Sequence, residues 1–397
     1  MKIDRPPPVG QTEASNALLA LGFRPFFLLA GLAVPVLMAL WLAQWSGWLA
    51  PSDYYGVIGW HAHEMLFGYT AAVIAGFLLT AVRNWTGQPT PTGTPLGLLA
   101  LLWLLGRLLP FLPVPDPVIA VVDVAFLPLV ALTLAGPLFR GANKVNRVML
   151  VLLGLMSLAN LMVHAEALGA APGWARRGQD LMLDGVLVLI LMVGGRVMPF
   201  FTEMAVAGAV PVRRRGIEVA TFAGALVLLL ADVLLGRAHP LAGGTALVLG
   251  LVQALRLAGW HDARLWRLPM LWVLYTGYGW VVLSLLLRGL SAFDLYPASP
   301  ALHAFTAGGI GVLTLGMMAR VALGHTGRAI EPAAATVLAF VLVNLATALR
   351  VFGPWAVPRA AHGWVDAAGV LWMLAFTLFL VVYLPILWRP RVDGRPG

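Results

Sequence analysis

Residues 58–81 read IGWHAHEMLFGYTAAVIAGFLLTA, and no charged side chain occurs anywhere in positions 65–81. At 1.5 Å of rise per residue, such a stretch in helical form crosses about 30 Å of hydrocarbon. The polar residues sit at one end, where an aqueous interface would be. Comparable apolar stretches recur along the chain, separated by short clusters of Pro, Gly, Arg or Asp. They fall at 23–45, 58–81, 95–113, 117–138, 146–168, 179–200, 216–236, 240–259, 268–289, 301–322, 333–352 and 363–388. The closest divisions are at the Pro-rich turn Pro110–Pro117 and between the seventh and eighth stretches. The reading is an all-α, polytopic transmembrane helix bundle of about 12 spans.

Composition agrees. Of 397 residues 60% are apolar and 11% charged, against about 25% charged in ordinary soluble domains. A soluble fold of this length has nowhere to hide so much apolar surface, so lipid is the expected solvent. The chain has no Cys, which excludes disulfides, thiolate metal sites and cysteine nucleophiles. A net charge of +9 does not indicate nucleic acid, because the arginines lie in short loops beside apolar spans. The expected organisation is a cytoplasmic segment 1–22, a single transmembrane domain 23–388 and a cytoplasmic tail 389–397. Met1 to Asn16 is polar and Pro-rich with no cleavable signal pattern, so the first span is expected to stay in the mature protein. With the N-terminus inside, 19 Lys and Arg fall on the inner side and 7 on the outer. That asymmetry places both termini in the cytoplasm, as expected of an inner-membrane protein.

On this topology His61 and His63 lie at the outer end of span 2, His164 near the outer end of span 5, and His303 at the outer end of span 10. Four histidines on three helices therefore reach one depth. Imidazoles at such a depth are costly and usually face the protein interior for a purpose. In a helix His61 and His63 point about 200° apart and so serve different sites. His61 and Glu64 share a face, which would let the carboxylate orient that imidazole. Two opposed histidines are a common way to hold haem iron, and several can hold copper where no Cys exists. The plainer reading of any one of them is an interfacial histidine bonded to a loop.

The inner ends carry a second set of marked residues: Arg24, Arg83, Arg196, Arg320 and His325. They suit haem propionates, lipid headgroups or an anionic substrate; helix capping and topogenic charge explain each one singly. Residues 63–88 and 303–328 also align without gaps, matching His63 with His303, Gly68 with Gly308, Gly76 with Gly316 and Thr86-Gly87 with Thr326-Gly327. Both stretches run from outside to inside, and the small residues between would allow close helix approach.

Several motifs together resemble those of the NnrS family. They are Phe23-Arg24-Pro25-Phe26-Phe27, Trp60-His61-Ala62-His63-Glu64-Met65-Leu66-Phe67-Gly68-Tyr69, Asn84-Trp85-Thr86-Gly87, Gly195-Arg196-Val197-Met198-Pro199-Phe200-Phe201-Thr202 and Gly324-His325-Thr326-Gly327-Arg328. The resemblance runs from span 1 to span 10, with little added by the last two spans. It implies a bacterial inner-membrane protein containing haem and copper and concerned with nitric oxide metabolism and nitrosative stress. Arg83 stands where Pro is usual in that pattern, and Tyr275 stands near where a His is usual.

Joined to the topology, this gives a haem of b type between spans 2 and 10 with His63 and His303 as axial ligands. Copper is expected at His61 and His164, with Glu64 behind them, all four histidines being candidate metal ligands. Arg24, Arg83, Arg196, Arg320 and His325 are the candidates for further cofactor contacts. The expected partners are the lipid bilayer, nitric oxide and a quinol-type electron donor, and a haem-dependent oxidoreductase acting on nitric oxide or a related species is one outcome. Histidines on spans 2 and 10 of twelve are also analogous to the haem–copper oxidase core subunit. An oxidase-type copper trio is missing, however, because span 6 has no His and span 7 no adjacent His pair. The alternative is a transporter or exporter of copper or a nitrosative product, with Asp123, Asp184 and Asp232 as its intramembrane polar groups. A third reading is a membrane scaffold or sensor whose haem reports nitric oxide to a partner.

Overall fold

A computed structural model describes residues 17–50 and 52–395. The described chain is helical, with no strand. Most of the polar segment expected at the N-terminus, residues 1–16, lies outside the described residues, as do the last two residues of the tail.

Twelve helices are long and apolar enough to cross a membrane, and the chain is a multi-pass membrane protein. Spans 1 to 4 are Phe23–Trp45, Gly56–Thr86, Gly93–Phe111 and Asp116–Arg140; spans 5 to 8 are Lys144–Ala167, Trp174–Ala205, Arg215–Leu235 and Pro240–Trp260. Spans 9 to 12 are Pro269–Ser291, Ala298–His325, Ala334–Ala356 and Pro358–Trp388. The Pro-rich turn divides spans 3 and 4 as expected. Span 6 runs further than its apolar stretch at both ends, starting with a polar turn that carries Arg176, Arg177 and Asp180.

Consecutive spans pack side by side, and span 12 returns along span 1, so the bundle closes on itself. Burial is uneven. The apolar window of span 2 is 83% buried and that of span 7 only 22%, so span 2 is central and span 7 faces lipid. Arg24 of span 1 donates to the carbonyls of Leu387 (2.9 Å) and Arg389 (2.7 Å), and Arg391 donates to that of His325 (2.7 Å). The start of span 1, the end of span 10 and the tail after span 12 therefore meet at one end of the bundle.

Spans 2 and 10 share an irregularity. Span 2 is α-helical over Gly56–His63, widens to a π-helix over Glu64–Thr70 and returns to α-helix over Ala71–Thr86. Span 10 does the same: α over Ala298–His303, π over Ala304–Val312, α over Leu313–His325. In both, the π segment begins at the residue after the aligned histidine. π segments inside α-helices are frequent at functional sites. The loosened backbone of span 2 is satisfied locally. Thr70 Oγ1 donates to the Met65 carbonyl at 2.7 Å, and Trp103 Nε1 of span 3 donates to the Gly68 carbonyl at 2.9 Å. Tyr69 and Thr314 join the two spans by a hydrogen bond of 2.5 Å between their hydroxyls. The aligned glycines sit at tight contacts: a Cβ on Gly68 would lie 2.6 Å from Arg107 Nη1, and one on Gly308 2.6 Å from Trp280 Cγ.

Candidate functional site

Two residues apart on one short helix, His61 and His63 face opposite ways. His63 is fully buried and belongs to a polar cluster built from spans 2, 3, 4 and 5. Its Nδ1 donates to Glu64 Oε1 at 3.2 Å. Its Nε2 lies 3.1 Å from both Asp123 Oδ2 and Asn160 Oδ1. Those three partners are acceptors, so Nε2 must carry either a proton or a metal ion. His164 Nε2 approaches the same oxygen, Asp123 Oδ2, at 2.9 Å, and Tyr54 Oη lies 2.8 Å from its Nδ1. Both imidazoles thus have an outer partner on Nδ1 and turn Nε2 toward one carboxylate. Suitable ligand atoms of His63, Asp123 and His164 lie within 4.8 Å of one another. The Tyr55 hydroxyl faces both Nε2 atoms, at 3.3 and 3.5 Å.

Asn160 Nδ2 donates to Asp123 Oδ2 at 2.9 Å, and Arg107 of span 3 pairs with Asp123 Oδ1 and lies 3.3 Å from Glu64 Oε2. Two carboxylates against one guanidinium would leave a negative charge in a buried place, which either a proton or a metal ion on His63 Nε2 would offset. Burial raises the phenol of Tyr55 well above its usual range, helped by the charges of Asp123 and Glu64. Burial raises Tyr54 too, with Asp116 and Asp123 adding to it. Both hydroxyls remain protonated, and both lie in the short connection that leads into span 2.

His61 lies on the other side of the helix. It stacks on Trp41 of span 1, ring centroids 4.2 Å apart, and its Nδ1 has no hydrogen-bond partner among the described residues. It lines a cavity of about 1150 Å³ that extends from spans 1, 2, 10, 11 and 12 across to spans 6 and 9. His303 lines the same cavity, within electrostatic reach of His61. Its Nδ1 donates to the Ser299 carbonyl at 2.8 Å, which fixes the tautomer and leaves Nε2 with its lone pair, the usual preparation of a metal-binding imidazole. Trp372 and Phe305 supply apolar wall, and Arg350 stands beside the two histidines, held by Ser299 Oγ at 2.9 Å.

The sequence matches the family described as NnrS protein over residues 17–391 of its 397. The chain belongs to the NnrS family. No curated relative matches it.

In this NnrS protein the histidines expected at one outer level divide into two groups, and not as the sequence was read. His303 shares its cavity with His61; His63 is not on the wall and pairs with His164. Glu64, read as a partner of His61, bonds to His63, because the helix widens at Glu64 and the three-residue spacing loses its usual meaning. The inner-end residues are not on the cavity wall. Arg24 and His325 take part in the joint with the tail described above. Arg196 donates to Asn146 Oδ1 at 2.8 Å and lies over the Trp85 ring, in an open pocket of about 340 Å³. Arg320 lies 3.9 Å over the Phe201 ring, and Arg83 is exposed. Tyr275, where the family pattern has a nearby histidine, donates to the Trp260 carbonyl at 2.7 Å and does not line the large cavity. Sequence reading missed Tyr54, Tyr55, Arg107 and Asn160 as members of the buried cluster. The signal for Arg107 and Asp123 was available: two opposite charges inside adjacent apolar spans.

Proposed function

We propose that this NnrS protein binds haem and copper at the outer end of its bundle and uses them on nitric oxide in the bacterial inner membrane. The observation that carries the reading is the division of the histidines: His61 and His303 face one large cavity, while His63 and His164 converge with Asp123 behind it. In this proposal His61 and His303 hold the haem, and His63, His164 and Asp123 hold the copper. This exchanges the roles that the sequence alone assigned to His61 and His63. A haem so held would supply an iron that exchanges single electrons.

The chain's own residues provide the setting. Ser299 orients His303, and Trp41 holds the His61 ring by stacking. Arg350 places a positive charge where an anionic carboxylate of a ligand would lie. Glu64 and Tyr54 set the rings of His63 and His164, as hydrogen-bonded partners of metal-bound imidazoles commonly do. Arg107 pairs with Asp123 and fixes its position. A nitrogen, nitrogen and oxygen donor set suits a divalent copper ion.

The transport reading draws less support. A permeation path needs polar groups free along its length, whereas Asp123, Asp184 and Asp232 are each tied to an arginine: Arg107, Arg237 and Arg288 respectively.

The test is to purify the full chain from haem-replete cells with copper supplied, measure iron and copper per chain, and record spectra with and without nitric oxide. His61→Ala and His303→Ala should each abolish or shift the haem absorption while copper is retained. His63→Ala and His164→Ala should lose copper and keep haem. A well-folded protein with no haem band and no bound copper would falsify the reading. A wild-type haem spectrum in both His61→Ala and His303→Ala would reject the haem ligands.

A further inference from the structure

The far wall of the large cavity carries a second cluster that the haem and copper reading leaves unused. Asp180 and Asp184 of span 6 line the cavity, together with Arg237 of the connection between spans 7 and 8 and Arg288 of span 9. Asp232 of span 7 stands behind them. Arg237 Nη1 reaches Asp184 Oδ1 at 3.5 Å and Arg237 Nε reaches Asp180 Oδ1 at 3.4 Å. Arg288 pairs with Asp232 Oδ1 and lies 3.9 Å from Asp184 Oδ1. The side chains of Asp184 and Asp232 are only 4% and 1% exposed. Their remaining oxygens, both Oδ2, have no donor among the described residues.

We propose that Asp184 and Asp232 hold one exchangeable proton between them and form a proton-donating site on the wall of the cavity. The carboxyls of Asp184 and Asp232 are buried, whereas Arg237 and Arg288 are part-exposed and Arg176 stands exposed on the cavity wall beside Asp180. Asp184 and Asp232 converge on the one guanidinium of Arg288, and each keeps a buried oxygen without a donor, yet two carboxylates offer only acceptors. A single proton supplies the missing donor and removes one negative charge from the buried pair. Two buried carboxyls gathered on one arginine cannot both ionise without cost, the arrangement by which paired aspartates share a proton elsewhere. Because Asp184 opens on the cavity, the proton can leave as H⁺ to an acceptor there, and water on the outer side restores it. The proton-holding site stands without any cofactor; its use in reductive chemistry rests on the functional reading above.

Infrared spectroscopy tests it on the purified full-length protein at neutral pH, with iron content and visible spectrum taken from the same sample. The wild type should show the stretching band of a protonated carboxyl, moving to lower frequency in heavy water as the proton exchanges. The band should be lost in Asp184→Asn and in Asp232→Asn, retained at a changed frequency in Asp184→Glu, and unchanged in the exposed-loop variant Glu331→Gln. Absence of the band from the wild type, or its persistence in both asparagine variants, overturns the proposal. Because the band is read whether or not haem is bound, failure of the haem assignment does not touch this result.

Discussion

Exchanging Asp123 for Ala would leave the Arg107 guanidinium buried with only Glu64 as a partner. Breaking a buried pair in this way costs about 3–5 kcal/mol, so Asp123→Ala should melt well below the wild type in detergent. Glu64→Gln and Tyr54→Phe are milder, since they keep shape and remove only what orients the imidazoles. Each should weaken copper retention by about 10–100-fold, measured by competition with a chelator, while leaving the melting temperature nearly unchanged. The tyrosines give a pH signature. Burial raises their folded-state values above the ~10 of an exposed phenol, so the folded chain holds those protons where an unfolded one has released them. Their contribution to stability is therefore complete below about pH 10 and is lost as pH rises further. An alkaline titration of phenolate absorbance should show Tyr54 and Tyr55 ionising late, and Tyr55→Phe should remove one late component. At this scale the sequence was only partly legible. It marked His61, His63, His164 and His303 as exceptional through their depth, but the partner of each depends on how spans 3, 4 and 5 pack against span 2, which no local spacing encodes.

Spans 2 and 10 were legible as membrane helices, and their weak internal similarity hinted at a shared form. What periodicity could not reveal was the π segment after each aligned histidine. A regular helix places residues three or four apart on one face, and that rule fails from Glu64 onward and from Ala304 onward. The widened turns set the direction in which His303 and His61 face relative to the rest of their spans. Deleting one residue from the π segment of span 10, for instance Ala307, should restore regular helix and rotate the segment bearing His303 by about 100° relative to the inner half. The expected result is loss of haem with copper content preserved, read from metal analysis of the purified variant. Gly308→Leu should have a related effect by forcing span 10 away from Trp280.

For the molecule as a whole, composition alone was enough to name the solvent, and the twelve spans followed from it. The closing of the bundle by span 12 on span 1 was not legible, because surfaces that pack protein and surfaces that face lipid are equally apolar. The orientation expected from the arginines can be checked cleanly, since the chain has no native Cys. A single Cys at Val210, between spans 6 and 7, should be labelled by a membrane-impermeant thiol reagent only after cells are opened. One at Ala171, between spans 5 and 6, should react in intact spheroplasts; the reverse pattern would invert the protein. Finally, Ala62 is all that separates the two histidines that face apart on span 2. That short piece of helix is the common wall of two compartments, and a ring that shifts on one side levers the ring on the other. Filling one compartment should therefore be felt in the other as a change in colour or affinity, without any large movement of the bundle.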